Sequence, residues 1–151
     1  MIVKLDKITK NYGNLENRVT VLNDVSLLVS KGDIVTIFGH SGVGKSTLLN
    51  IINGTLNIDS GSVLINGDLL TDSSSYLIRK KIISSLFQKD NLLPELNIRD
   101  NLLMPLIIND LDYSKSLSRV SQVLDLLEMK NFEYRYPDQV SKGEYQRISL
   151  L

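Results

Sequence analysis

The segment that most restricts how this chain can fold is Gly39-His40-Ser41-Gly42-Val43-Gly44-Lys45-Ser46, a complete G-x-x-x-x-G-K-S pattern between an apolar run and a helix-forming one. Glycine at 39, 42 and 44 lets the backbone turn its N–H groups inward, because no Cβ obstructs the approach of an anion. Lys45 adds a point charge suited to β- and γ-phosphates. The Ser46 hydroxyl suits Mg²⁺, and the helix that follows presents its positive end to the same place. His40, Ser41, Val43 and Thr47 complete the set of loop residues expected to touch a nucleoside triphosphate. His40 is the single histidine and fills a variable position of the pattern, so it reads as an ordinary loop residue rather than a catalytic one.

Such a loop requires a strand before it and a helix after it. Asp33-Ile34-Val35-Thr36-Ile37-Phe38 reads as a buried strand bounded by Gly32 and Gly39, and Thr47 to Ile52 reads as a helix stopped by Asn53-Gly54. Upstream, Ile2 to Leu5, Val19 to Leu22 and Val25 to Val29 predict a small antiparallel layer. Downstream, Gly61 to Ile65 followed by Asn66-Gly67 predicts a hairpin. Ser73-Ser74-Ser75 reads as a loop leading into a short helix, and Ile82 to Phe87 as a further strand ending at Gln88. From about residue 91 the pattern becomes helical, over Ile98 to Met104 and then Tyr113 to Leu127, where apolar residues recur at 117, 120, 123, 124 and 127. The fold class is α/β. Residues 1–90 are expected to form an antiparallel β-subdomain plus phosphate-loop core, and residues 91–151 a helical subdomain.

Composition removes several functions. Lysine plus arginine equals aspartate plus glutamate at 17 each, so no basic stripe points to nucleic acid. The chain has no cysteine, which excludes disulfides and thiolate metal sites. Met1 to Asp6 lacks the apolar core of a signal peptide. The longest apolar run, Leu102 to Ile108, is far short of the roughly 20 residues that cross a bilayer.

The segment Val140-Ser141-Lys142-Gly143-Glu144 follows Tyr136-Pro137-Asp138-Gln139 and opens the last helical stretch. Alone, Ser141 with Glu144 three residues later is a capping box. Beside the phosphate loop, it resembles the signature of the ATP-binding cassette ATPases, Leu-Ser-Gly-Gly-Gln/Glu, which binds the γ-phosphate held by an opposite subunit. The resemblance implies an α/β P-loop NTPase fold with ATP and Mg²⁺ as ligands. It places Ser141, Gly143 and Glu144 on nucleotide in trans, with Lys142 departing from the family's first glycine. It further implies that Tyr12 stacks on adenine, and that Gln88 is the Q-loop glutamine, completing Mg²⁺ coordination with Ser46 and contacting the attacking water. Asn91 to Asn101 is particularly similar to the lipoprotein-releasing and macrolide-export type of cassette ATPase.

The resemblance spans all 151 residues and stops as the signature helix begins. The family's Walker B aspartate, catalytic glutamate and switch histidine come after that point, and no Asp or Glu follows Glu144. The core sheet is therefore expected to be incomplete, leaving Ile34 to Phe38 and Ile82 to Phe87 without neighbours, and the chain reads as a C-terminally truncated fragment that does not turn over ATP. The full-length protein is expected to be an ATPase subunit, a homodimer acting with transmembrane permease subunits at the inner face of the cell membrane, with no nucleic-acid partner. Two other readings stay open: a non-catalytic nucleotide-binding module, and a P-loop nucleotide kinase, which gives no reason for the Ser141 to Arg147 segment.

Overall fold

A computed structural model describes residues 1–87 and 91–151. The chain forms two compact units, Met1–Ser85 and Leu86–Leu151.

The first unit is built on a four-stranded antiparallel sheet in the order β2-β1-β3-β4, from β1 (Val3–Tyr12), β2 (Val19–Val29), β3 (Ser60–Ile65) and β4 (Asp68–Leu69). Strict alternation cannot place Leu5 and Ile8 on one face, since they lie an odd number of residues apart. Both are nonetheless buried. Lys7 adopts φ 48°, and the ladder shifts register between Leu5 and Ile8, so a bulge returns Ile8 to the core side. A second positive φ, at Asp24, sits within β2, so the two segments expected at 19–22 and 25–29 form one continuous strand. The β3–β4 hairpin turns at Asn66-Gly67 with φ of 52° and 92°, the two positive values of the tight turn that Asn-Gly predicts.

Helix α1 (Lys45–Ile52) lays Leu48 and Ile51 into the sheet's apolar side, in one cluster with Leu5, Ile8, Leu22, Val63, Ile65 and Ile78. Its stop is the expected one, with Asn53 as C-cap and Gly54 at φ 66°. Helix α2 (Asp72–Lys81) contributes Ile78 to this core, and Arg79 donates a hydrogen bond to the Gly54 carbonyl. The serine triplet is not a loop: the Thr71 and Ser74 side chains form a reciprocal cap that puts all three serines in the first turn.

Neither Asp33–Phe38 nor Ile82–Phe87 forms a strand, and no ladder includes them. Both segments carry β-favouring residues. A strand, however, exists only through the neighbour whose N–H and C=O groups it shares, and among the described residues these two have none. The expected burial fails with the pairing: Ile34 is 94% exposed and Phe38 86%. The expectation of an incomplete core sheet thus accounts for the correction.

The second unit is helical, with α3 (Ile98–Ile108), α4 (Tyr113–Leu126) and α5 (Lys142–Ile148) around a core of Leu92, Ile98, Leu103, Val120, Leu124, Met129 and Ile148. Helix α3 runs four residues beyond its expected end, through Pro105. Buried Asn101 fastens the preceding loop to it, accepting from the Leu93 N–H at 2.6 Å and donating to the carbonyls of Leu93, Leu96 and Asn97.

Candidate nucleotide-binding site

The glycine loop closes onto the sheet at Gly44, which is both the N-cap of α1 and a residue in left-handed conformation, φ 102° and ψ 9°. A Cβ there would lie 2.9 Å from Val21 Cγ1 and 3.2 Å from the Val21 carbonyl oxygen. Backbone hand and close approach to β2 thus demand glycine independently. Gly42, at φ 81°, has open space where its Cβ would be, so only its conformation is special.

No side chain caps the start of α1 and no acidic residue occupies its first turn. Four N–H groups at a helix start lack intrahelical partners, and an uncapped start leaves them for an anion. The Lys45 ammonium lies across the loop mouth, 2.9 Å from the Gly39 carbonyl and 2.7 Å from that of His40. The Val43 N–H also donates to His40 O, at 3.4 Å. Carbonyls thus fix the lysine within the loop, and an ammonium has three donors, so two bonds leave one for a phosphate. Ser46 and Thr47 occupy the next positions of the same turn. These groups fit a magnesium–triphosphate pair. Mg²⁺ is commonly held by one or two protein oxygens together with phosphate oxygens and water, and Ser46 supplies one such oxygen. Gln88, the second expected magnesium ligand, lies outside the described residues.

Tyr12 ends β1, and its hydroxyl lies 3.4 Å from Thr47 Oγ1. The structure therefore brings the residue expected to stack on a base to the first turn of α1. Lys10 Nζ stands 5.8 Å from the Tyr12 ring centroid, within cation–π range. Behind them, Asp59 accepts from the Asn11 backbone N–H at 2.6 Å and the Asn11 amide at 2.9 Å, and pairs with Lys10 at 3.4 Å. The Asn11 N–H and side chain, and then Lys10, hold the Asp59 carboxyl below the usual aspartate range.

In the second unit, Ser141 is the N-cap of α5. Its Oγ accepts from the Glu144 N–H at 3.4 Å, and its own N–H donates to the Glu144 carboxylate at 2.7 Å. Ser141 holds that carboxyl below the ordinary glutamate range, with smaller Coulombic pulls from Arg135 and Arg147. Gly143 has no atom within 4 Å of where a Cβ would stand, and Lys142 is exposed. The Tyr145 phenol oxygen accepts the N–H groups of Asn91 and Leu92 at 3.0 and 3.1 Å. Neither Asp59 nor Tyr145 was singled out by the sequence. Asp59 precedes Ser60-Gly61 and reads as turn punctuation, while Tyr145 reads as one more residue of the helix after a capping box. The cap that holds Ser141 and Glu144 to each other is one a Ser-x-x-Glu pattern alone would produce.

The family model described as ABC transporter matches residues 22–151. The lipoprotein-releasing system ATP-binding protein LolD of Bordetella avium is 37% identical over 98% of this chain and 66% of its own length. The methionine import ATP-binding protein MetN 2 of Bacillus licheniformis is 34% identical over 99% of this chain and 44% of its own length. Among solved structures, the dimeric post-hydrolysis state of the ATP-binding cassette MJ0796 bound to ADP and Pi superposes with a TM-score of 0.87 at 33% identity, covering 99% of this chain and 67% of that one. The chain thus spans between about two fifths and two thirds of the length of these proteins.

Proposed function

This chain belongs to the ABC transporter family, and on that premise we propose that it is the ATP-binding part of a transporter, holding Mg²⁺ and ATP in the loop Gly39 to Ser46 with Tyr12 against the base. The observation that carries the reading is the loop itself: an uncapped helix start behind three glycines, with the Lys45 ammonium held across its mouth by two loop carbonyls. Bound magnesium would neutralise phosphate charge and orient the terminal phosphate, with Ser46 and Gln88 as its protein ligands. The chain's own groups bind and orient: N–H donors grip phosphate oxygens, Lys45 balances their charge, and Ser141, Gly143 and Glu144 close the nucleotide from a second copy.

The dimeric cassette MJ0796 with ADP and Pi supports the two-copy arrangement. The transporter relatives support membrane subunits as partners and a place at the cytoplasmic face; among the described residues no helix is long and apolar enough to cross a membrane. The similarity of Asn91 to Asn101 supports kinship with the lipoprotein-releasing and macrolide-export type. A methionine importer matches almost as well, which fits a cargo chosen by the membrane subunits.

Hydrolysis needs a group to activate the attacking water. This chain offers no carboxylate after Glu144, so by itself it binds nucleotide without turning it over. Calorimetric titration with Mg-ATP tests the binding: Lys45→Ala should weaken it about ten- to a hundredfold, the worth of a charge-assisted hydrogen bond. Equal affinity in the two proteins would refute the site. Steady-state phosphate release by the 151-residue chain, abolished by Lys45→Ala, would refute the absence of turnover.

A further inference from the structure

Tyr12 is supported on one side only: it pairs with Val19 of β2 at the end of β1 but has no partner on β3. On one side β1 pairs with β3 only as far as Thr9↔Ser60. On the other, its ladder with β2 shifts register between Ile8 and Lys10 and again between Lys10 and Asn11. Strand ends with few hydrogen bonds open most easily, and a frayed end would let the ring wander from α1.

Asp59 takes the place of the missing β3 partner. Its own N–H still donates to the Thr9 carbonyl at 2.9 Å, so its backbone is fixed to the last paired residue. Its side chain then reaches past the end of the ladder. One carboxylate oxygen accepts both the Asn11 backbone N–H, at 2.6 Å, and the Asn11 amide, at 2.9 Å. The other accepts from Lys10 Nζ, the same ammonium that stands over the Tyr12 ring. Asn11 in turn accepts from Thr20 Oγ1 at 2.7 Å, tying the clamp to β2. Bonds to an ionised acceptor are about twice as strong as neutral ones, and these donors hold the Asp59 carboxyl below the usual aspartate range.

We propose that Asp59 is a positioning residue for base recognition: by clamping Asn11 and Lys10 it holds the Tyr12 ring beside Thr47 and the phosphate loop. The inference rests on Tyr12 contacting the base, as proposed above. Asp59 lies one residue before β3, and the groups it bonds, Thr9, Lys10 and Asn11, all belong to β1, so its effect should depend on the base and not on the phosphates.

Inorganic tripolyphosphate, which has phosphates and no base, separates the two. With magnesium present, Tyr12→Ala should weaken ATP binding about two- to tenfold, the worth of one aromatic stack, and leave tripolyphosphate binding unchanged. Asp59→Ala should reproduce the larger part of that loss for ATP alone. The double variant should be no weaker than Tyr12→Ala, because a residue acting through another adds nothing once the other is gone. Equal losses for ATP and tripolyphosphate in Asp59→Ala, additive losses in the double variant, or an Asp59→Ala protein that binds ATP like the parent would each overturn the inference while leaving the Tyr12 contact intact. No effect of Tyr12→Ala on ATP would overturn that contact and the inference with it. Should Asp59→Ala fold poorly, Asp59→Asn serves the same comparison: it keeps the shape but turns an amide toward Lys10, and should lower the ratio of ATP to tripolyphosphate affinity by at least twofold.

Discussion

Replacing Gly44 by alanine separates the two reasons for glycine at the start of α1. The first is conformational: φ 102° is a backbone state that L side chains enter at a cost of about 1–2 kcal/mol. The second is spatial. The new methyl would stand 2.9 Å from Val21 Cγ1, 3.1 Å from Leu22 Cδ2 and 3.2 Å from the Val21 carbonyl oxygen. The valine is stiff at χ1 and the carbonyl belongs to a paired strand, so neither yields freely. Overpacking of this kind costs about 1–3 kcal/mol, for a total of about 2–5 kcal/mol. Gly42→Ala is the internal reference, since it shares the left-handed cost, at φ 81°, and meets nothing within 4 Å. Denaturant titration of both variants should therefore find Gly44→Ala less stable than Gly42→Ala by about 1–3 kcal/mol. Adding Val21→Ala to Gly44→Ala removes the nearest contact and should recover part of that gap, as a coupling of about 0.5–1 kcal/mol. Equal stabilities for the two glycine variants, or no recovery with Val21→Ala, would refute the claim that close packing of the loop on β2 fixes the start of α1.

Two further outcomes follow from the second unit. The Glu144 carboxyl is held below its ordinary value of 4.5, so the stability it lends the start of α5 is fully present above that value and is lost as pH falls through the lowered one. Melting followed by circular dichroism should show this acid-side loss in the parent but not in Glu144→Gln, which keeps a capping side chain without a titrating group. Tyr145→Phe removes one phenol oxygen and leaves the N–H groups of Asn91 and Leu92 without their acceptor. It should destabilise the second unit by about 1–3 kcal/mol and speed amide exchange at those two residues above the change at Asn101.

Legibility in the sequence divides along the range of the interactions. Features set by neighbours in sequence could be read directly: the Asn66-Gly67 hairpin, the stop of α1 at Asn53-Gly54, the Ser141–Glu144 cap and the glycine turn leading into α1. Where the readings missed, a bond at longer range or a small irregularity decided. The bulge at Lys7 that buries both Leu5 and Ile8 depends on the partner strand, and nothing in Lys-Leu-Asp-Lys-Ile announces it. The serine triplet looked like a loop because serine competes with helix in the interior, yet the same hydrogen-bonding habit makes a good first turn once Thr71 supplies the cap. Asp59 grips Asn11 across 48 positions of chain, and no local pattern carries that pairing.

The failed strand at Asp33–Phe38 shows what holds the site together. Its β-favouring residues were read correctly as residues and wrongly as structure, because a ladder requires a second strand and the described residues provide none for it. The loop immediately after it nonetheless has its glycines in the required conformations, with Lys45 bonded to Gly39 and His40. The cradle therefore does not derive its shape from the segment that leads into it. Its shape comes from the other end, where Gly44 is pressed against β2 while Leu48 and Ile51 anchor α1 among Leu5, Ile8 and Val63. The shape of the loop is thus specified by the helix and the antiparallel sheet. Pairing of residues 33–38 would add rigidity to the approach of Gly39 without being needed to create the loop.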